Sequence, residues 1–132
     1  MSLNDAYNEV KAFHAAFNAP HPDKPVMLTP ERAAARADWM REEINEFLDA
    51  KTLTDQADAM IDLLYFALGT LVEMSVPPQK LFDIVQKANM TKLWPDGKPH
   101  YREDGKVIKP AGWEPPEPQL EAVIQQMLNK SC

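Results

Sequence analysis

Residues 58–69 read DAMIDLLYFALG, and the pattern of this stretch decides the fold class. It lies inside a longer segment, from Gln56 to about Met74, in which apolar residues occupy almost every side of a helix. A helix that is apolar all round is typical of an element surrounded by protein. We therefore expect this segment to form the central helix of an all-α protein.

Amphipathic patterns on both sides of the central segment predict three more helices. Apolar residues recur at three- and four-residue steps from Leu3 to Phe17, and Thr29 with Pro30 supplies an N-cap and a favourable first helical residue. Pro77 and Pro78 mark the start of the last helix of this group. The expected helices cover residues 3 to 17, 30 to about 50, 56 to about 74 and a segment after Pro78. Together they predict a four-helix bundle.

The helix over residues 30–50 should reverse direction into the central helix, because residues 52–55 supply only a short turn and a new cap. Its apolar stripe is expected to face the core. The residues of this stripe are Ala33, Ala37, Met40, Ile44 and Phe47 with Leu48.

After Trp94 the helical periodicity of the sequence ends, and turn-forming residues become frequent. Asp96-Gly97 and Asp104-Gly105 are turn dipeptides, and they predict a small hairpin. The proline-rich residues 110–118 favour an extended connector, and a short amphipathic helix is expected after it. We expect that helix to dock on the bundle or on a partner subunit. The predicted organisation is one domain over 1–132, with a helical core at 1–93 and an arm and helix at 94–132.

Composition and charge limit the classes of partner. The chain has 132 residues, of which 45% are hydrophobic and 26% are charged, as in one compact globular domain. The formal charge is −6 and no basic run is present, so neither nucleic acid nor an acidic membrane surface is an expected partner. The longest apolar run, 63–72, is shorter than the roughly 20 residues needed to cross a bilayer.

The cysteine content and the helical architecture also carry expectations. The single cysteine, Cys132, cannot form an intramolecular disulfide and fits a reducing compartment. No signal peptide is recognisable near the N-terminus, so the expected location is the cytoplasm. An elongated set of helices needs a second chain to cover its remaining apolar faces, so a homo-oligomer, either a dimer or a tetramer, is expected.

A polar stripe runs along the otherwise apolar central helix. Asp58, Asp62, Tyr65 and Gly69 follow one another at steps of four, three and four residues. A buried carboxylate costs several kcal/mol unless it is paired, hydrogen-bonded or coordinated, and two of them one turn apart repel each other. A bound cation would remove both problems.

The preceding helix offers carboxylates that an antiparallel pair would bring opposite the stripe. Glu43 and Glu46 are the better ligand pair, because Glu42 lies on the outer side of that helix. Four carboxylates without a nearby His or Cys suit Mg²⁺, or Mn²⁺, rather than zinc. Alternatively, the aspartates could form structural ion pairs with Arg32, Arg36 or Arg41, and spacing alone does not decide between the two interpretations.

Two polar residues follow at the end of the fourth helix. Asn89 and Lys92 are three residues apart, so an amide and an ammonium group could reach phosphate or sugar oxygens together. A helix cap and a solvated lysine are the simpler interpretation. His14 is expected at the rim of the core. Trp39, Tyr65 and Trp94 could stack on a base, but aromatic residues at helical spacing are more often core residues, and base recognition is not assigned.

These motifs occur along the chain in the order Glu43-x-x-Glu46, Asp58-x-x-x-Asp62-Leu-Leu-Tyr and Asn89-x-x-Lys92. Over about residues 3–93 the chain resembles the MazG-like all-α nucleoside triphosphate pyrophosphohydrolases, a superfamily that includes phosphoribosyl-ATP pyrophosphohydrolases and dimeric dUTPases. Its members hold Mg²⁺ between paired helices through Glu-x-x-Glu and Glu-x-x-Asp motifs. The chain departs from this pattern at Ala59, where the second motif usually has glutamate, and Asp58 is the residue that could replace it.

The resemblance implies Mg²⁺-dependent hydrolysis of a nucleoside triphosphate at the α–β anhydride, giving a monophosphate and pyrophosphate. It implies that Glu43 or Glu46 orients or deprotonates the attacking water and that Asn89 and Lys92 bind the substrate. The implied metal ligands are Glu43, Glu46, Asp58 and Asp62. The alternative is a noncatalytic helical oligomerisation or interaction module, in which the same acids form interhelical salt bridges.

Overall fold

The computed structural model describes residues 1–130, and the chain in this range is mainly helical. The helices are α1 (Leu3–Ala16), α2 (Pro30–Asp49), α3 (Leu53–Met74), α4 (Gln79–Met90) and α5 (Glu117–Lys130). Two short strands, β1 (His100–Tyr101) and β2 (Val107–Ile108), pair antiparallel and form the predicted hairpin. The prediction of an all-α fold with a small hairpin arm and a terminal helix is confirmed. Cys132 lies outside the described residues.

Local capping explains where the first three helices begin. Ser2 and Asp5 form a reciprocal capping box at α1, and the Thr29 hydroxyl accepts from the backbone N–H of Arg32 at 3.2 Å. The Thr52 hydroxyl accepts from the backbone N–H of Asp55 at 3.1 Å, so α3 begins at Leu53. The start predicted at Gln56 was three residues late, because the turn residues already belong to the first helical turn.

The described residues form two compact units. The first contains residues 1–78 together with the end of α5 from Met127, and the second contains residues 79–126. In the first unit α3 packs against both α2 and α1. Its core consists of Tyr7, Val10, Leu68 and Val72, with Ala6 and Leu71 packed against them. The one-domain organisation with a core ending at residue 93 stays a prediction.

The prediction that α3 is surrounded by protein is wrong for the single chain. Leu68 and Val72 are buried, but Ile61 is 60% exposed and Leu64 is 48% exposed. The reason is that α1 and α2 cover only part of the circumference of α3. An apolar face therefore remains on the outside of the first unit.

The predicted inward stripe of α2 also needs correction. Ala33 is exposed and Leu48 is 71% exposed, whereas Arg36 is 5% exposed. The guanidinium of Arg36 can occupy the interior because it finds polar partners on α3, namely Glu73 and the Thr70 hydroxyl. The register of α2 is thus determined by a buried arginine as well as by apolar residues.

None of the helices in residues 1–130 is by itself long and apolar enough to span a membrane. Only α3 and α4 taken together reach that length and hydrophobicity.

Candidate active site

The antiparallel packing of α2 and α3 brings three of the predicted metal ligands together. One carboxylate oxygen from each of Glu43, Glu46 and Asp62 can be chosen so that all three lie within 4.8 Å of one another. Glu43 and Glu46 are three residues apart and therefore project from one side of α2. Asp62 projects from α3 towards the same point, so the cluster bridges two helices that pack closely.

Glu43 is the most strongly perturbed residue of this cluster. Its Oε2 atom is buried and has no hydrogen-bond partner among the described residues. Desolvation raises the pKa of Glu43 from 4.5 to about 7, and a hydrogen bond and charge repulsion from Glu46 add to this effect. The pKa of Asp62 is also raised, first by desolvation and then by repulsion from Asp58 and Glu46. The cluster therefore concentrates negative charge, and it contains no basic group that could neutralise this charge.

Asp58 adjoins the cluster rather than completing it. It raises the pKa values of Glu43 and Asp62 by charge repulsion, and it lines a cavity of about 290 Å³ together with Glu46 and Asp55. Ala59, at the position where the superfamily pattern has glutamate, is only 2% exposed and lies in the core. The exposed carboxylate of Asp58 is thus the one available from this turn of α3.

The ion pairs of the first unit argue against the salt-bridge interpretation. Arg32 and Arg36 both pair with Glu73, with N–O distances of 2.7 and 3.0 Å. Arg41 pairs instead with Asp38 on its own helix. Within residues 1–130, no arginine forms an ion pair with the carboxylate cluster, so its charge remains uncompensated.

The donor set fits a hard divalent cation. All available ligand atoms are carboxylate oxygens, which Mg²⁺ and Mn²⁺ prefer and which disfavour zinc. The buried Oε2 of Glu43 lacks a partner, and a cation between Glu43, Glu46 and Asp62 would provide one. The same cation would lower the repulsion that raises the two pKa values.

Two to three turns from the acids, a second polar network joins α2 to α3. Arg36 donates to the backbone carbonyl of Phe66 at 3.0 Å and pairs with Glu73, which is 2% exposed. His14 of α1 is also buried there, and its Nδ1 lies 2.8 Å from the Pro20 carbonyl oxygen. The prediction of His14 at the rim is therefore wrong; its ring is buried because the adjacent Gly69 has no side chain.

The sequence analysis missed Glu73, although a signal was present. It is the only other acidic residue in the apolar segment of α3, and it lies eleven residues after Asp62, which returns it to the same face of the helix. Trp39 packs beside the arginine network: the guanidinium of Arg32 lies 5.1 Å from its ring centroid, and the Phe66 ring centroid lies 6.1 Å away. Trp39 is half-buried, whereas Tyr65 is 41% exposed and is not a core residue in the single chain.

The two predicted substrate-binding residues belong to the second unit. Asn89 is exposed within the last turn of α4, and its carbonyl accepts from the backbone N–H of Lys92 at 3.1 Å. The Lys92 ammonium lies 5.4 Å from the centroid of the Trp113 ring. Their role in substrate binding stays a prediction.

An all-α fold with a carboxylate cluster between two antiparallel helices is the arrangement expected of the MazG-like pyrophosphohydrolases. Residues 10–89 match the phosphoribosyl-ATP pyrophosphohydrolase family, and the chain belongs to this family. The matched range includes Glu43, Glu46, Asp58 and Asp62. The resemblance to the MazG-like superfamily is therefore confirmed, and the family membership supports a hydrolase.

A solved structure supports the same class over nearly the whole chain. It is a protein of Exiguobacterium sp. 255-15, provisionally described as an NTP pyrophosphohydrolase, and it is 38% identical to this chain. The similarity covers 94% of this chain and 96% of that one, with a TM-score of 0.51. The comparison with curated proteins gives no match.

Proposed function

We propose that this protein hydrolyses the α–β phosphoanhydride of a nucleoside triphosphate in the presence of Mg²⁺. The observation that carries the proposal is the convergence of Glu43, Glu46 and Asp62 around a buried carboxylate oxygen that has no partner. Such a cluster is costly unless a cation is bound, and a triphosphate is a substrate that itself needs a cation to approach an acidic surface. The products would be a nucleoside monophosphate and pyrophosphate.

Glu43, Glu46 and Asp62 would hold the cation, with Asp58 as a fourth carboxylate beside them. When bound, Mg²⁺ neutralises charge on the phosphate oxygens as the anhydride bond breaks. Mn²⁺ would fit the same oxygen donors.

The carboxylates of α2 would also act on the attacking water. Glu46 is exposed while Glu43 is half-buried, so the pair spans the boundary between solvent and the cluster. A carboxylate at this boundary can accept a hydrogen bond from water, orient its lone pair and take its proton as the anhydride breaks. Glu43 or Glu46 would perform this role, and the proton would then pass to solvent.

Asn89 and Lys92 would bind the substrate. The Asn89 side chain can donate to a sugar or phosphate oxygen, and the Lys92 ammonium supplies a positive charge that the carboxylate cluster lacks. Within residues 1–130, neither side chain forms a hydrogen bond or ion pair, so both have donors to offer.

Product analysis tests this function. The purified full chain would be incubated with Mg²⁺ and a panel of canonical and modified nucleoside triphosphates, and the products would be separated by anion exchange. We expect a monophosphate and pyrophosphate from at least one substrate, and a loss of rate of at least about 100-fold in both Glu46→Gln and Asp62→Asn.

Glu42→Gln is the matched control, because Glu42 is exposed on the same helix and lies outside the cluster. It should retain the wild-type rate. Formation of a diphosphate and orthophosphate would contradict cleavage at the α–β anhydride. Equal activity of Asp62→Asn and Glu42→Gln would contradict the role of the cluster.

A second copy of the chain is the proposed protein partner. α1 and α3 together expose an aromatic and aliphatic surface in the first unit, which we call the apolar face. It consists of Phe13, Phe17, Ile61, Leu64 and Tyr65. Phe13 stacks on Phe17 at 4.4 Å and meets Tyr65 edge-on at 5.6 Å, so the three aromatic side chains are contiguous. Ile61 lies three residues from Leu64 and four residues from Tyr65 along α3, which places it near both on the same side of the helix. A homo-oligomer, a dimer or a tetramer, would cover this face, and the cytoplasm is the proposed location.

The apolar face is also the observation that favours the second candidate function, a noncatalytic assembly module. In that case the oligomer would form but no nucleotide would be cleaved. The unpaired oxygen of Glu43 and the absence of ion pairs between the cluster and the nearby arginines favour the hydrolase.

A further inference from the structure

The first unit contains a cavity of about 780 Å³ that none of the clustered carboxylates lines; we call it the loop cavity. The loop between α1 and α2 forms most of its wall, and Arg32 of α2 and Glu73 of α3 complete it. Arg32 lies eleven residues before Glu43, and Glu73 lies eleven residues after Asp62. The loop cavity and the carboxylate cluster are therefore about 16 Å apart along both helices.

The wall of the loop cavity is largely apolar. Its apolar residues are Ala19, Pro20, Pro22, Val26, Met27 and Leu28. The backbone N–H of Val26 donates to the Met74 carbonyl at 2.9 Å, and the His14 Nδ1 atom lies 2.8 Å from the Pro20 carbonyl oxygen. These contacts attach the loop to α3 and to α1. Cavities of this size with mostly apolar walls and a few polar groups are typical binding sites of small molecules.

The charged side chains beside the loop cavity carry an excess of positive charge. Glu73 is 2% exposed and pairs with Arg32 at 2.7 Å and with Arg36 at 3.0 Å. One carboxylate is thus shared by two guanidinium groups, which leaves one net positive charge in a chain of −6. An anion that enters the cavity would balance this charge.

Arg32 has hydrogen-bond donors that the ion pair does not use. Its Nε and Nη2 atoms donate to the two carboxylate oxygens of Glu73, at 2.7 and 2.9 Å. Within residues 1–130, its Nη1 atom has no hydrogen-bond partner, and 34% of the side chain is exposed. In contrast, all three nitrogens of the buried Arg36 guanidinium have partners on α3. Arg32 therefore keeps one edge of its planar guanidinium, Nη1 with the second hydrogen of Nη2, for another acceptor.

We propose that the loop cavity binds a small organic monocarboxylate, whose carboxylate contacts Arg32 and whose apolar body packs against Val26 and Leu28. A planar carboxylate matches the free edge of a guanidinium and can accept two parallel hydrogen bonds from it. One negative charge balances the single excess charge of Arg32, Arg36 and Glu73, whereas a phosphate ester with nearly two charges would not be balanced. Binding there does not depend on nucleotide hydrolysis, because none of the clustered carboxylates lines the cavity.

The first experiment locates the binding of octanoate on the isotope-labelled full chain by the chemical shifts of its backbone amides. Octanoate combines one carboxylate with an aliphatic body that suits the apolar wall. We expect changes that saturate with octanoate concentration and are concentrated in residues 18–29 and around Arg32. Changes concentrated at the apolar face, or no saturable changes, would overturn the proposal.

Recognition of the charge is tested with a neutral probe and with variants. Octanamide has the same apolar body without the charge and should bind at least about tenfold more weakly than octanoate. Arg32→Gln should weaken octanoate binding about tenfold, and Arg32→Lys, which keeps the charge but loses the planar fork, should have an intermediate affinity. Arg41→Gln is the matched control, because Arg41 is an exposed arginine of α2 that pairs with Asp38 and does not line the cavity. It should change the affinity by less than about twofold.

Equal weakening by Arg32→Gln and Arg41→Gln would contradict a specific contact with Arg32, because only the overall charge would then matter. Equal affinity for octanoate and octanamide would likewise contradict recognition of a carboxylate. Thermal unfolding of each variant shows whether the fold is intact. The comparison of the two probes on the wild type keeps the test valid if Arg32→Gln unfolds.

A variant of the carboxylate cluster tests whether the two sites are separate. Asp62→Asn should bind octanoate within about twofold of the wild-type affinity, because Asp62 lies about 16 Å from the loop cavity along α3. A loss of affinity of about tenfold in this variant would show that octanoate occupies the cluster region, and it would overturn the proposal.

Discussion

At the scale of single residues, Glu43 best shows how the fold creates reactivity. A glutamate on a helix is ordinarily solvated, but here one oxygen is buried without a partner and three other carboxylates surround it. The folded chain therefore binds a proton at Glu43 more tightly than the unfolded chain does. A divalent cation can take the place of that proton.

This linkage gives a prediction for stability against pH in the absence of metal. The pKa of Glu43 is about 7 in the folded protein against the ordinary 4.5, so the stabilising proton is present below about pH 4.5 and is lost as pH rises towards 7. The contribution of Glu43 to the free energy of unfolding should fall over this window. Urea unfolding in EDTA, compared between wild type and Glu43→Gln, isolates that contribution.

Glu43→Gln should be more stable than wild type at pH 8 in EDTA and should gain less from the shift to pH 5. Addition of Mg²⁺ at pH 8 should raise the Tm of the wild type by at least about 2 °C and leave that of Glu43→Gln nearly unchanged. If the wild type gained stability from pH 5 to pH 8 in EDTA and Glu43→Gln showed the same profile, the loss of stability assigned to deprotonation of Glu43 would be contradicted.

At the scale of helices, the antiparallel α2–α3 pair is organised by two polar networks, which lie two turns apart on α2 and three turns apart on α3. The carboxylate cluster includes Glu43 and Asp62, and the arginine network joins Arg36 to Glu73. Each partner in the second network lies seven or eleven residues from the first along its helix, so one helical register serves both. The arginine network therefore stabilises the register that brings the carboxylates together.

Gly69 allows this register, and its substitution should show the effect. A Cβ atom at position 69 would lie 2.4 Å from Arg36 Nη2 and 2.9 Å from His14 Nε2. Ordinarily Gly→Ala inside a helix stabilises by about 1 kcal/mol. Here we expect Gly69→Ala to destabilise by about 1–3 kcal/mol in urea unfolding, because two buried side chains must move.

The sign of the change makes the test of Gly69 decisive. Gln56→Ala, at an exposed position of α3, serves as the control and should change stability by less than about 0.5 kcal/mol. An increase in stability for Gly69→Ala would mean that Arg36 and His14 do not pack against this position as the structure shows.

The sequence predicted the helices well and their faces less well. Caps such as Thr29 and Thr52 are local signals, so the beginning of α2 was predicted correctly and that of α3 to within three residues. The inward face of α2 was predicted from apolar residues alone. That method could not place Arg36 in the interior, because its partner Glu73 is distant in sequence and supplies the compensating charge only in the folded chain.

At the scale of the whole molecule, the apolar face is the surface that a single chain does not bury. Periodicity predicted α3 as buried on all sides, but Ile61 and Leu64 are exposed in the isolated chain. Both observations agree if a second copy covers the face, which is why we propose an oligomer. The sequence indicated the need for a partner but not the surface that would meet it.

Ile61→Lys tests the proposed interface. A charge on the apolar face should be tolerated by a monomer and should disfavour burial against another chain by several kcal/mol. Light scattering after size exclusion is expected to show a shift from an oligomer to a monomer. Met27→Lys is the matched control, because Met27 is 90% exposed outside this face and should leave the mass unchanged. A wild-type monomer, or an unchanged mass in Ile61→Lys, would contradict the proposal.

The candidate site itself was partly predictable from sequence. Spacing on two helices suggested Glu43, Glu46 and Asp62, and the fold brings these three together. Spacing could not show whether nearby arginines neutralise the acids, and the structure shows those arginines paired elsewhere.

Calorimetric titration of Mg²⁺, repeated with Mn²⁺, into the metal-free protein tests the carboxylate cluster most directly. We expect saturable binding to the wild type and to Glu42→Gln, and a loss of affinity of at least about tenfold in Asp62→Asn, which removes one charged ligand. Equal affinity in Asp62→Asn and Glu42→Gln, or no binding of either cation by the wild type, would contradict the account.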